Sequence, residues 1–158
     1  MRILAALLLL AFLPALTLSE CAKLKVGVIT GLSGPAQVWG QSIQNGLDMG
    51  REESGCETLR FLYKDDQFVP NKTVAAFKKL VESDRVDAII VTSSTAGNTV
   101  APLAEIPLFA WASDPNVARG RKFVVRTWAS SEKEGRILAK RAKLNGHQRV
   151  AFTFKRED

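Results

Sequence analysis

Short apolar runs alternate along the chain with stretches of helical periodicity. Leu24-Lys25-Val26-Gly27-Val28-Ile29 is rich in β-branched residues and predicts a buried strand. Gly31-Leu32-Ser33-Gly34-Pro35 breaks it. Trp39, Ile43, Gly46, Leu47 and Gly50 then recur at helical spacing, which predicts a helix over 38–53 stopped at Gly55. The small Gly46 and Gly50 predict close packing of that face on a sheet. A second strand is expected over 59–64, ended by Asp65-Asp66. Pro70-Asn71 opens a helix with Val74, Phe77, Leu80 and Val81 on one side. A third strand, 86–91, leads through the polar stretch 92–98 into a short helix over 99–105. Strands over 107–111 and 122–126, a helix over 131–145 and a strand over 149–154 complete the pattern.

Strand and helix alternate, and the strands are continuous apolar runs rather than alternating ones. That is the pattern of an α/β fold whose parallel sheet is sandwiched by helices. The pattern ends directly after a strand. A buried parallel strand requires a further crossover, so a truncated version of a longer design is expected.

The first segment falls outside this scheme. Met1-Arg2 is a short basic start, and 3–18 is apolar apart from Thr17, with one Pro at position 14. Such a run is shorter than the roughly 20 residues of a comfortable membrane span. With small residues at Thr17 and Ser19, it reads as a secretory signal peptide over 1–19, cut before Glu20. The alternatives are an uncleaved anchor and a lipoprotein signal that uses Cys21. Glu20 stands where a lipoprotein signal carries Gly or Ala, so periplasmic export is the expectation.

Charge changes the picture little. The 158 residues carry a formal +6. Residues 119–158 hold 12 Lys+Arg against 4 acids, whereas 20–118 hold 9 against 12. Most of the basic charge sits on the helix predicted over 131–145, without interleaved aromatics. It is read as a solvated face, and no nucleic-acid partner is expected. With one His, two Cys and no CxxC, HExxH or GxxxxGK[ST], the sequence presents no base, nucleophile or metal cluster spaced for catalysis. A non-enzymatic protein without a cofactor is expected. Asn71-Lys72-Thr73 matches a glycosylation sequon by pattern alone.

Open α/β sheets bind ligands beyond the carboxyl ends of their strands, where strand order reverses. With the first three strands in 2-1-3 order, the loops at that point are 30–40 and 92–98. The first holds two glycines, a Pro and Trp39. The second carries Thr92, Ser93, Ser94 and Thr95 in succession before a helix start, a combination suited to a carboxylate or phosphate. Capping explains Ser93 and Ser94 equally well, and Trp39 and Trp111 could both be core.

Lys25-Val26-Gly27-Val28-Ile29-Thr30-Gly31-Leu32-Ser33-Gly34-Pro35 resembles the opening of the leucine/isoleucine/valine-binding protein family, periplasmic type I solute-binding proteins of ABC transporters. The resemblance continues through Trp39-Gly40, Asn45-Gly46, Tyr63-Lys64-Asp65-Asp66, Pro70, Ser93-Ser94-Thr95, Ile106-Pro107-Leu108-Phe109 and Phe123-Val124-Val125-Arg126-Thr127. It implies two lobes that close on a ligand. Residues 20–121 would form most of the N-terminal lobe, and 122–158 would cross a hinge and begin the second. By position, Ser94 (with Ser93 and Thr95) and the turn Ala112-Ser113-Asp114 would hold the carboxylate and ammonium of an amino acid or amide-like ligand, with Trp39 lining its pocket. A membrane permease is the implied partner, and a ligand-sensing module or a non-functional fragment is the alternative. Asp114 replaces the family's usual Thr, and Trp111-Ala112 replace its Pro-Ser. These departures argue against leucine-like specificity. Asp114 equally suits an Asp-Pro turn.

Cys21 lies five residues before Val26 and Cys56 five before Phe61. If the first two strands are parallel neighbours, equal offsets bring the cysteines together. A Cys21–Cys56 disulfide is therefore expected; unpaired thiols and a lipid-modified Cys21 are the alternatives.

Overall fold

The computed structural model describes residues 21–151. The signal peptide expected over 1–19 and the end of the last expected strand lie outside the described residues. Five strands form one wholly parallel sheet: β1 (Lys25–Thr30), β2 (Arg60–Asp65), β3 (Ala88–Val91), β4 (Leu108–Ala110) and β5 (Val124–Arg126). Their order is β2-β1-β3-β4-β5, so the chain reverses direction across the sheet between β1 and β3, as expected. The helices are α1 (Gln37–Glu53), α2 (Pro70–Lys78, extended by a π-helical turn to Ser83), α3 (Ser94–Val100) and α4 (Ser131–Leu144).

The two faces of the sheet are covered differently. On the front, Ile29, Ile89, Val91, Leu108, Ala110 and Val124 meet Phe77, Leu80, Ala96, Val100 and Val117, all buried. This is the main core. Gly27 belongs to that face because a Cβ there would stand 2.7 Å from Leu80 Cδ1. On the back, α1 covers the β2–β1 side, where the Tyr63 hydroxyl donates to Asp48 Oδ1 at 3.1 Å. Burial, then that hydrogen bond, pushes the Tyr63 pKa up. Further along the back, Phe109 pairs in register with Val125, and both remain exposed.

Three details depart from the sequence reading. Gly46 and Gly50 pack on nothing: a Cβ at either would meet no atom within 4 Å. The glycine that α1 needs is Gly40, buried and so close to the Gly31 carbonyl that a side chain would collide with it. Second, α3 starts at Ser94, not near position 99, because Ser93 supplies the cap. Third, Arg149–Ala151 are not in a strand. They have no ladder partner in this sheet, and extended backbone without one leaves its polar groups to water. The sequon is also structural: Thr73 is buried, and its hydroxyl donates to Asp66 Oδ2 at 2.8 Å.

β1 and β2 pair as Val26↔Phe61. Just before them, a disulfide joins Cys21 to Cys56 with the Cα atoms 5.5 Å apart. No helix among the described residues is long and apolar enough to cross a membrane.

Candidate ligand site at the strand ends

The carboxyl ends of β1 and β3 are tied together by a buried hydroxyl pair, Thr92 donating to Thr30 at 2.7 Å. From this point two loops diverge. The first is held by Asp65 at the end of β2, whose carboxylate accepts the Leu32 N–H at 2.8 Å, the Gln67 N–H at 3.1 Å and the Ser33 hydroxyl. Partial burial pushes the Asp65 pKa up, but the bonds from Ser33, Leu32 and Gln67 outweigh it and hold the carboxyl below its usual range. The neighbouring Asp66 is fully buried and accepts the Phe68 N–H and the Thr73 hydroxyl. The loop is thereby fixed as it enters α1. Trp39, in the first turn of α1, stands 67% exposed.

The second loop gathers most of the expected residues. Ser93 is the N-cap of α3, its hydroxyl accepting the Ala96 N–H at 3.0 Å. Ser94 is not a cap. Its hydroxyl accepts the Ser113 N–H at 3.1 Å and the Asp114 N–H at 3.2 Å, and lies 3.5 Å from the Ser113 hydroxyl. Two adjacent serines thus divide two roles, one holding the helix and the other holding the loop after β4. Thr95 is half-buried, and its carbonyl accepts the Thr99 hydroxyl at 2.7 Å. Ala112 is buried, and its carbonyl accepts Arg126 Nη1 at 3.2 Å. Asp114 caps the turn Pro115–Val117: Oδ1 accepts the Asn116 N–H at 2.9 Å, while Oδ2 accepts Asn98 Nδ2 at 2.7 Å. Those bonds, the one from Asn98 foremost, hold its carboxyl below the usual range.

Ser93, Ser94, Thr95, Ala112, Ser113 and Asp114 are therefore one cluster across the ends of β3 and β4, while Trp39 stands on the other loop. Three participants went unnoticed in the sequence. Asn98 fixes Asp114, and its signal was its place one helical turn after Ser94. Arg126 reaches from the end of β5 to the carbonyls of Ala112 and Trp128. Trp128 packs edge-on against Trp111 with ring centroids 4.9 Å apart; its signal was a lone aromatic in a polar stretch after a strand. An open dent of about 410 Å³ beside Cys56, lined by Arg51, Glu52, Gly55 and Glu57, lies at the amino end of the sheet, away from this cluster.

The chemistry of Ser94 follows from its bonding. A hydroxyl oxygen has two lone pairs and one proton. With both lone pairs directed at backbone N–H groups, the proton is what Ser94 has left to offer, and its neighbour is the Ser113 hydroxyl at 3.5 Å. The switch point of an open parallel sheet, where this hydroxyl lies, is where α/β folds generally hold their ligands. The chain belongs to the periplasmic binding protein family, whose model matches residues 23–155. Among solved structures, it is similar to a leucine-binding protein of Thermotoga maritima MSB8, at 25% identity and a TM-score of 0.71 over 77% of this chain and 37% of that one. It is also similar to an ABC-transporter solute-binding protein of Rhodopseudomonas palustris BisB5 in complex with 3,4-dihydroxybenzoic acid, at 24% identity and a TM-score of 0.73 over 78% of this chain and 36% of that one. A third relative is a solute-binding protein of R. palustris in complex with benzoate, at 23% identity and a TM-score of 0.71 over 79% and 38%. The chain thus spans little more than a third of the length of these structures. No curated protein matches it.

Proposed function

We propose that this chain supplies the N-terminal lobe of an exported solute-binding protein that captures a small carboxylate for uptake by an ABC transporter. Residues 20–121 make up most of that lobe, and the chain after β5 leads out of it toward a second lobe. The observation that carries the reading is the hydroxyl of Ser94. It is fixed by the N–H groups of Ser113 and Asp114 at the strand-order switch point, and its proton, whose neighbour is the Ser113 hydroxyl at the long distance of 3.5 Å, can turn to bond a carboxylate oxygen. The membership of the chain in a solute-binding family supports it, and the carboxylates bound by its relatives fit the same chemistry. The basic start and apolar run of 1–19 support export to the periplasm, with a membrane permease as the partner that receives the ligand. No step of this function is catalytic.

A clamshell gains affinity by enclosing its ligand between two lobes. This chain alone should therefore bind only weakly, with dissociation constants in the millimolar range. Titration of the ¹⁵N-labelled chain with leucine and with benzoate tests the reading. The amides of Ser94, Ser113 and Asp114 should shift together for at least one of them. Shifts elsewhere only, or binding at micromolar or tighter concentrations by this chain alone, would contradict it.

A further inference from the structure

Two of the three tryptophans stand just beyond the carboxyl ends of strands, Trp111 after β4 and Trp128 after β5, and Trp39 lies in the first turn of α1. An α/β fold usually spends such large side chains on its core. Here Trp39 and Trp128 are 67% and 48% exposed, and Trp111 is half-buried against Trp128. The Trp111–Trp128 pair is also bonded to the Ser94 cluster. Arg126 Nη1 donates to the carbonyls of both Trp128 and Ala112. The Ser131 N–H, at the start of α4, donates to the Ser113 carbonyl at 3.1 Å. Ser113 in turn donates its N–H to Ser94. The segment carrying Trp128 is therefore fastened at two points to the turn that fixes the hydroxyl donor. Half-exposed Trp128, packed edge-on against Trp111, offers an aromatic surface suited to a flat ring. The one acid in the cluster is already engaged: Asp114 takes Asn98 on one oxygen and the Asn116 N–H on the other.

From this arrangement we infer that the ligand is an aromatic carboxylate rather than an aliphatic α-amino acid, with Trp128, backed by Trp111, as the residue that determines this specificity. The inference rests on the proposed function above and narrows its substrate class.

The test uses the chain from Glu20 onward, with benzoate and leucine as probes, read by the three indole N–H signals and the Ser113 amide. Benzoate should move the Trp111 and Trp128 indole signals along with the Ser113 amide, and should bind more tightly than leucine. Trp128→Ala should weaken benzoate binding about five- to tenfold and close the gap to leucine. Trp128→Phe should retain most of the preference, which a purely structural loss would not. If leucine binds as well as benzoate or better while the Ser113 amide still moves, the aromatic specificity is wrong and the carboxylate-binding lobe stands. If neither probe moves the Ser94, Ser113 or Asp114 amides, both readings fall.

Discussion

The sheet between β1 and β4 and the segment that follows β5 are built on the same principles, yet they differ in what their apolar residues touch. In the first region, Leu80, Ile89, Val91 and Val100 are fully buried, and α2 and α3 press on the front of the sheet. In the second, α4 has a sound helix: Ser130 caps it, Glu132 and Glu134 occupy its first turn, and Arg141 and Lys143 its last. It buries none of its residues, and Ile137, Leu138 and Leu144 are each more than half exposed. Local signals can thus write a helix without giving it a partner, but most of a helix's stability in a protein comes from the face it packs. The Ser94 cluster sits where the two regions meet, one side on β3 and β4 and the other on the Trp128 stretch that leads into α4.

Substitutions in each region should separate the two by the size of their effects. Leu80→Ala should cost about 3–5 kcal/mol in chemical denaturation, because Leu80 rests on Gly27 with no room to collapse. A loss under about 1 kcal/mol would mean that the front of the sheet is not the main core. Reducing the Cys21–Cys56 bond should cost roughly 3–4 kcal/mol in the chain-entropy model. Thiol titration of the denatured, unreduced protein should find no free thiol, and two free thiols would remove that contribution.

A smaller effect is expected at Asp65. Its pKa is depressed in the folded state, so its contribution is present above the unfolded value of about 4 and is lost as the pH falls through the lower folded value. Asp65→Asn should therefore lower stability at neutral pH by less than about 1 kcal/mol for this solvent-screened group. It should also flatten the loss of stability below pH 4; an unchanged acid limb would show that Asp65 does not hold the first loop. The smallest effect is expected in α4, where Ile137→Ala should change stability by no more than about 0.5 kcal/mol. A larger loss would mean that the exposed stripe is packed in solution.

Much of this architecture is legible in the chain. Continuous β-branched runs point to the parallel class, for which 2-1-3 is the usual order of the first three strands and the one observed. The equal offsets of Cys21 from Val26 and of Cys56 from Phe61 expressed the β1–β2 register, which sets those two strand residues opposite each other. The helical glycines were harder, because periodicity places residues on a face without saying which face a sheet covers. Gly46 and Gly50 share the spacing of a packing stripe and face open space, while the necessary Gly40 looks unremarkable beside them. At the site, the hydroxyl-rich run marked the right loop, but two adjacent serines cannot be assigned separate partners from spacing alone. Ser94 answers to Ser113 and Asp114, about twenty positions away. Arg126 and Trp128 escaped notice because their contacts reach back to the loop after β4, a neighbour in space that no local pattern announces.

Ser94 as a ligand donor and Ser94 as a purely structural link make opposite demands, and Ser94→Ala separates the two. Removing the hydroxyl takes an acceptor from the Ser113 and Asp114 N–H groups, which should cost about 1 kcal/mol of stability. It also removes the only proton the residue offers a carboxylate, which should weaken binding of benzoate or leucine, whichever binds the wild-type chain more tightly, by about 1–3 kcal/mol or roughly 5- to 150-fold. Affinity and unfolding should be measured side by side on the same variant. A large loss of affinity with a small loss of stability is the predicted result, whereas reduced stability with unchanged affinity would show that Ser94 only fastens the loop and that the carboxylate site lies elsewhere.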